Sequence, residues 1–184
     1  MARSAEATAA QVAGGDRVQL CTFRVGGEDY AVDIMRVQEI IQPLPITPVP
    51  RAPAFVEGVV RLRGEVLPIV DVRRRFGLPT APPTRQAKFI VVHVGGRRIC
   101  LAVDEVCEVL RIPRAEIRPA PALVGLDSPR FFLGVCGGDE AAPAAGGRAG
   151  TRLRLLLDVK ALLEPVGPGE IEAARAQAAA SRGA

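Results

Sequence analysis

The stretch Phe23-Arg-Val-Gly-Gly-Glu-Asp-Tyr-Ala-Val-Asp-Ile-Met-Arg-Val-Gln-Glu-Ile-Ile41 has a second version 69 positions later, Val92-His-Val-Gly-Gly-Arg-Arg-Ile-Cys-Leu-Ala-Val-Asp-Glu-Val-Cys-Glu-Val-Leu110. The Gly-Gly pair, Val37 with Val106, Glu39 with Glu108 and the apolar pair after each coincide. Further on, Phe55-Val-Glu-Gly58-Val59 echoes Phe131-Phe-Leu-Gly134-Val135, and Pro68-Ile-Val-Asp71-Val72 echoes Leu155-Leu-Leu-Asp158-Val159. An ordered series of matches at this scale is the mark of a duplicated structural unit.

Each copy opens with period-two alternation. Cys21, Phe23 and Val25 alternate with Leu20, Thr22 and Arg24, Gly26-Gly27 turns the chain, and Tyr30, Val32 and Ile34 resume. This is the pattern of a β-hairpin, repeated by Ile90, Val92 and Val94, Gly95-Gly96, and Ile99, Leu101 and Val103. The proline-rich stretches that follow, Pro43 to Pro53 and Pro113 to Pro121, suit neither a helix interior nor a central strand. Two more short apolar strands close each half. With about five strands per unit, closure into a small barrel removes exposed edges. The expected fold is all-β: two five-stranded barrels packed side by side, with short helices at the connections and the C-terminus, including one at Lys160 to Glu164. Equivalent strands of the two copies are expected to line a crevice between the barrels.

The expected domain plan has an N-terminal tail at 1–17 and a folded unit at 18–164, divided into subdomains at about 18–80 and 85–164. Residues 139–150, rich in Ala and Gly, read as a mobile insert, and 165–184 as a C-terminal tail with a short helix possible at Glu170 to Ser181.

The chain has 184 residues, of which 48% are hydrophobic and 24% charged, with 19 glycines and 16 prolines. No apolar run reaches the ~20 residues of a membrane span, and the N-terminus lacks the apolar block of a secretory signal, so a cytoplasmic protein is expected. Four scattered cysteines, Cys21, Cys100, Cys107 and Cys136, fit buried reduced thiols better than a zinc site or a disulfide framework. The single histidine, His93, on an alternating strand, leaves no partner for a catalytic triad or a metal cluster. The net charge of +4, from 22 Arg and two Lys spread along the chain with few aromatics, does not suggest nucleic-acid binding. The basic cluster Arg73 to Arg75 reads as a solvated strand end, and Asp104, Glu105 and Glu108 as a solvated acidic rim. No nucleophile with a neighbouring base is present, so no catalytic residue, cofactor or metal is expected. An enzyme built on the barrels, with Asp104 or Glu108 as its acid, is the weakest reading. Around Gly64, Arg61 and Arg63 interrupt an apolar strand pair. A pair between Arg63 and Glu39 serves equally well to brace the turn or to meet a partner.

Three blocks carry a family resemblance: Tyr30 to Ile40 with Val37, Gln38 and Glu39; Pro53 to Arg73 with Phe55, Gly58, Leu62, Arg63, Gly64, Pro68 and Asp71; and Ala102 to Val106. From about Val18 to Glu164 the sequence resembles the CheW family of chemotaxis coupling proteins. The resemblance implies SH3-like barrels and a non-enzymatic scaffold that links chemoreceptors to a CheA-type histidine kinase at receptor arrays. It implies that the receptor lies in the crevice, bordered by Val37, Glu39, Gly58 and Arg63. For the kinase, the repeat suggests Ile40, Ile41, Val109 and Leu110. An adaptor in a motility or developmental chemosensory system other than chemotaxis is the alternative. Arg61 stands where the family usually has Asn.

Overall fold

The computed structural model describes residues 16–119, 131–137 and 152–164. The tail at 1–15, the insert at 139–150 and the possible helix from Glu170 lie outside the described residues. Arg17, expected in the tail, already belongs to the first strand.

Among the described residues ten strands run in the order β1 (Arg17–Val25), β2 (Glu28–Asp33), β3 (Val37–Ile41), β4 (Val56–Leu62), β5 (Glu65–Asp71), β6 (Lys88–Val94), β7 (Arg97–Val103), β8 (Glu105–Pro113), β9 (Phe132–Cys136) and β10 (Arg154–Leu157). Two short helices, α1 (Val72–Arg75) and α2 (Val159–Leu163), follow β5 and β10. Each is capped by an aspartate at equivalent places. The Asp71 carboxylate accepts from the Arg74 amide, and the Asp158 carboxylate accepts from the amides of Lys160 and Ala161.

The hairpins expected at the Gly-Gly pairs are β1–β2 and β6–β7, with Phe23 opposite Tyr30 and Val92 opposite Ile99. The sheets assemble differently from the expected division near residue 82. The first has the order β8-β1-β2-β10-β9, the second β3-β6-β7-β5-β4. Each sheet therefore joins the hairpin of one copy to the three later strands of the other. The connections explain why. Only the 3-10 turn Ile34–Arg36 separates β2 from β3, and only Asp104 separates β7 from β8. Even the tightest hairpin takes two loop residues, so β8 cannot fold back on β7 across one, and at Ile34–Arg36 the chain makes a helical turn instead of a hairpin loop. The chain runs on into the other sheet instead.

Both sheets curl until their edges meet. Thr47, just beyond β3, exchanges two backbone hydrogen bonds with Val59 of β4, at 2.8 and 2.9 Å. Arg118, just beyond β8, does the same with Val135 of β9, at 2.9 and 2.8 Å. Each closing segment crosses a glycine. A Cβ on Gly58 would lie 2.4 Å from the Thr47 carbonyl oxygen, and one on Gly134 would lie 2.5 Å from that of Arg118.

Three apolar clusters result. Leu20, Ala31, Cys136 and Leu156 fill the first ring, and Val60, Leu67, Ile69, Phe89, Val91 and Cys100 are among those filling the second. The largest lies between the rings and includes Phe23, Tyr30, Val32, Ile90, Val92 and Leu101. Strands β1 and β6 thus bury both faces, and Leu20, Cys21, Thr22 and Phe23 are all buried in succession. The centre of the expected crevice is consequently filled by the protein's own side chains. Removing a side chain the size of Phe23 from water contributes about 2–3 kcal/mol, so this packing holds the rings together.

Candidate partner-binding faces

Glu39 is the central residue of a charged group on the surface. It stands on β3, where a bulge between Val37 and Glu39 opposite β6 re-aims the side chain. Its carboxylate is only 19% exposed and is held on both oxygens: Arg63 Nη2 donates to Oε2 at 2.8 Å, and Arg98 Nη2 donates to Oε1 at 3.1 Å. Arg98, on β7, also pairs with Glu65 at the start of β5. Arg63 is 77% exposed and sits in the two-residue turn between β4 and β5. There Arg63 has φ 51° and Gly64 φ 88°, the left-handed pair of a tight hairpin. The turn presents the guanidinium at the tip of a rigid ribbon.

Of the four residues implied for the receptor site, the structure brings Glu39 and Arg63 into direct contact. Val37 is half-buried opposite Val92 and packs on the cluster between the rings. Gly58 is buried under the Thr47 carbonyl and closes the second ring, so its part is architectural. Arg61 is exposed on β4, opposite the exposed Val66.

The four residues suggested for the kinase divide in two. Ile40 and Val109 are exposed at equivalent places on β3 and β8. Ile41 and Leu110, their neighbours, turn inward and pack against the interiors of the second and first rings. Strand alternation puts only one member of each pair on the surface.

Several charged residues expected in solvent are engaged. Arg73 grips Asp104 with two donors, Nε to Oδ1 at 2.9 Å and Nη2 to Oδ2 at 2.6 Å, and the Gly26 amide donates to Oδ2 at 2.8 Å. Burial pushes the Asp104 carboxyl up, but the bonds from Arg73 and Gly26 outweigh it and hold it below its ordinary value. Arg24 binds Glu105 at 2.9 Å, and Arg154 binds Glu108 at 3.2 Å. Arg75 is not at a solvated strand end. It is 8% exposed, stacked between Phe55 and Phe131, and donates to the carbonyls of Leu162 and Glu164 at 2.8 and 2.9 Å.

The seam between the rings is covered at one turn and open at the other. Leu78 fills the space beside Gly26, and a Cβ there would lie 2.8 Å from its Cδ1. Beside Gly95 a shallow cleft remains, lined by Asp33, Arg36, Leu133 and Lys160 among others. His93 is exposed on β6. Cys21, Cys100 and Cys136 are buried thiols, whereas Cys107 is exposed on β8, contrary to expectation. Among the described residues no group of His, Cys, Asp and Glu could hold a metal, and no helix is long and apolar enough to cross a membrane.

Arg98 and Glu65 were not singled out from the sequence. A signal existed: Arg97-Arg98 and Glu28-Asp29 fall at equivalent positions of the two copies with opposite charge. Such a reversal marks a place where the copies have different electrostatic partners.

The CheW-like domain model matches residues 19–166. The chain is 43% identical over 117 residues to the chemotaxis protein CheW of Rhizobium meliloti (strain 1021), covering 64% of this chain and 76% of that one. It is 35% identical over 113 residues to Protein FrzA of Myxococcus xanthus, covering 61% and 70%. The crystal structure of the scaffolding protein TtCheW from Thermoanaerobacter tengcongensis superposes with a TM-score of 0.71 at 28% identity, covering 83% of this chain and 96% of that one.

Proposed function

Because the chain belongs to the CheW family, we propose that it is a non-enzymatic scaffold of bacterial chemosensory signalling that couples chemoreceptors to a CheA-type histidine kinase at cytoplasmic receptor arrays. The observation that carries the reading is the pairing of a family-wide match over 19–166 with an outward Arg63 braced on Glu39. The receptor docks on the Glu39 and Arg63 face of the second ring. The kinase regulatory domain meets the exposed Ile40 and Val109, one on each ring.

Such a protein works by holding two partners in one geometry. A receptor shift changes kinase activity because the complex favours one arrangement over another, and the coupling is the difference in binding free energy between them. Each face needs only modest affinity, since repetition in an array raises the effective concentration of every further contact.

Co-purification of the full chain from its native cells tests the reading. Receptor and kinase are expected together with the wild type, with receptor lost in Arg63→Asn, where Asn tolerates the left-handed turn. Retention of both partners by Arg63→Asn and by Ile40→Asp discards these faces. One relative, Protein FrzA, does not carry the chemotaxis name, and the second reading is an adaptor in a motility or developmental chemosensory system other than chemotaxis. The identity of the co-purifying receptor separates the two.

A further inference from the structure

We infer that Arg98 is the permanent partner of Glu39 and Arg63 the releasable one, so that the docking face accepts a receptor surface bringing a carboxylate to Arg63; this rests on the receptor-docking reading above. Arg98 and Arg63 take one oxygen each of the same carboxylate, yet they differ in every respect that governs release. Arg98 is 27% exposed, lies on a strand inside the sheet, and is fixed from a second side by Glu65. Its Nε is buried. Arg63 is 77% exposed at a turn and makes one hydrogen bond among the described residues, leaving most of its five donors to solvent.

An incoming carboxylate can therefore take over Arg63 at small cost. Glu39, mostly shielded from water, would be left unpaired if Arg63 were its only partner, and a shielded charge without a partner is unfavourable. Arg98 removes that penalty by staying. Both local acids, Glu39 and Glu65, are engaged by Arg98, whereas Arg63 and the exposed Arg61 two residues before it offer positive charge outward. The complementary partner surface is one that presents an Asp or Glu carboxylate. A guanidinium at a fixed turn meets such a carboxylate with two parallel donors.

The prediction is specific to Arg98 as a positioning residue. The full chain is titrated by calorimetry with a soluble helical-hairpin tip fragment of a chemoreceptor from the same cells, at low and physiological salt. Wild-type affinity falls as salt rises, and Arg63→Asn weakens it about tenfold and flattens that dependence. Arg98→Met also weakens binding about tenfold, because Arg63 is then committed to Glu39. Adding Glu39→Gln to Arg98→Met frees Arg63 and brings affinity back to within about threefold of wild type, as Arg98→Lys does alone. A merely structural role for Arg98 predicts no rescue by Glu39→Gln, and unfolding midpoints establish that each variant is folded. Wild-type affinity in Arg98→Met, or a double variant no better than the single, overturns the inference while the docking reading stands. Binding by wild type without salt dependence has the same meaning. Failure of wild type to bind the fragment removes both.

Discussion

The guanidinium carbon of Arg75 lies 4.2 Å from the centre of the Phe55 ring, and Phe131, the equivalent residue of the other copy, stacks on the opposite side at 4.4 Å. The same side chain donates to the last carbonyls of α2 at Leu162 and to Glu164. One cation thus joins the closing strands of both copies where they meet. Arg75→Met keeps the stem but loses the cation and the donors, and should destabilise the protein by about 2–4 kcal/mol in urea unfolding. A change below about 0.5 kcal/mol would mean that the sandwich contributes packing alone.

Gly58→Ala and Gly134→Ala should act alike. Each new methyl meets the backbone oxygen of a closing residue, which can move only by opening the ring. A loss of at least about 2 kcal/mol is expected for each, with accelerated amide exchange at Val59 and Val135, whose N–H groups donate across the closure. Any loss of partner binding in these variants then follows from loss of structure. Arg63→Asn, at an exposed tip, should alter stability by no more than about 0.5 kcal/mol.

Asp104 ties α1 to the first hairpin turn through Arg73 and the Gly26 amide. Its folded-state carboxyl titrates below the ordinary value of 3.8, so the stabilisation is fully present above that value and fades as pH falls through the lower one. Asp104→Asn should lower stability at neutral pH and flatten the acid limb of the pH profile. An unchanged limb would assign that slope to other carboxylates.

Ile40→Asp and Val109→Asp should keep the fold, because both side chains are exposed, and under the proposed kinase contact they should weaken kinase binding. Ile41→Asp and Leu110→Asp bring a charge against the ring interiors and should cost about 3 kcal/mol or more in stability. Thermal melts beside a kinase pull-down separate the two pairs.

Thiol reagents should distinguish the cysteines. Cys107 is exposed and reacts in the native state, while Cys21, Cys100 and Cys136 react only after unfolding. Burial pushes Cys100 up to about 11, so its thiolate is scarce at neutral pH as well as shielded. Rapid native labelling of more than one thiol would contradict this burial pattern.

The hairpins, the duplication and the glycine turns were legible because alternation and repetition are local properties of the chain. The pairing of β1 with β8 and of β3 with β6 was not, since a repeat tells which strands are equivalent but not which copy supplies the neighbour. The single residue between β7 and β8 was the available clue. In the charged group on β3, Glu39 and Arg63 could be paired from the charges around the Gly64 turn, whereas Arg98 depends on a contact across strands distant in sequence. Arg75 was misread because the basic run around it resembles a solvated end, and only the approach of Phe55 and Phe131 from two copies makes burial of a cation tolerable.

The reciprocal strand pairing has a consequence for synthesis. The β1–β2 hairpin waits for β10, the last of the described strands in chain order, before its barrel is whole. Cutting the gene between the codons for Pro79 and Gln86 would yield two polypeptides that are each incomplete twice over, and only their coexpression should restore a soluble product.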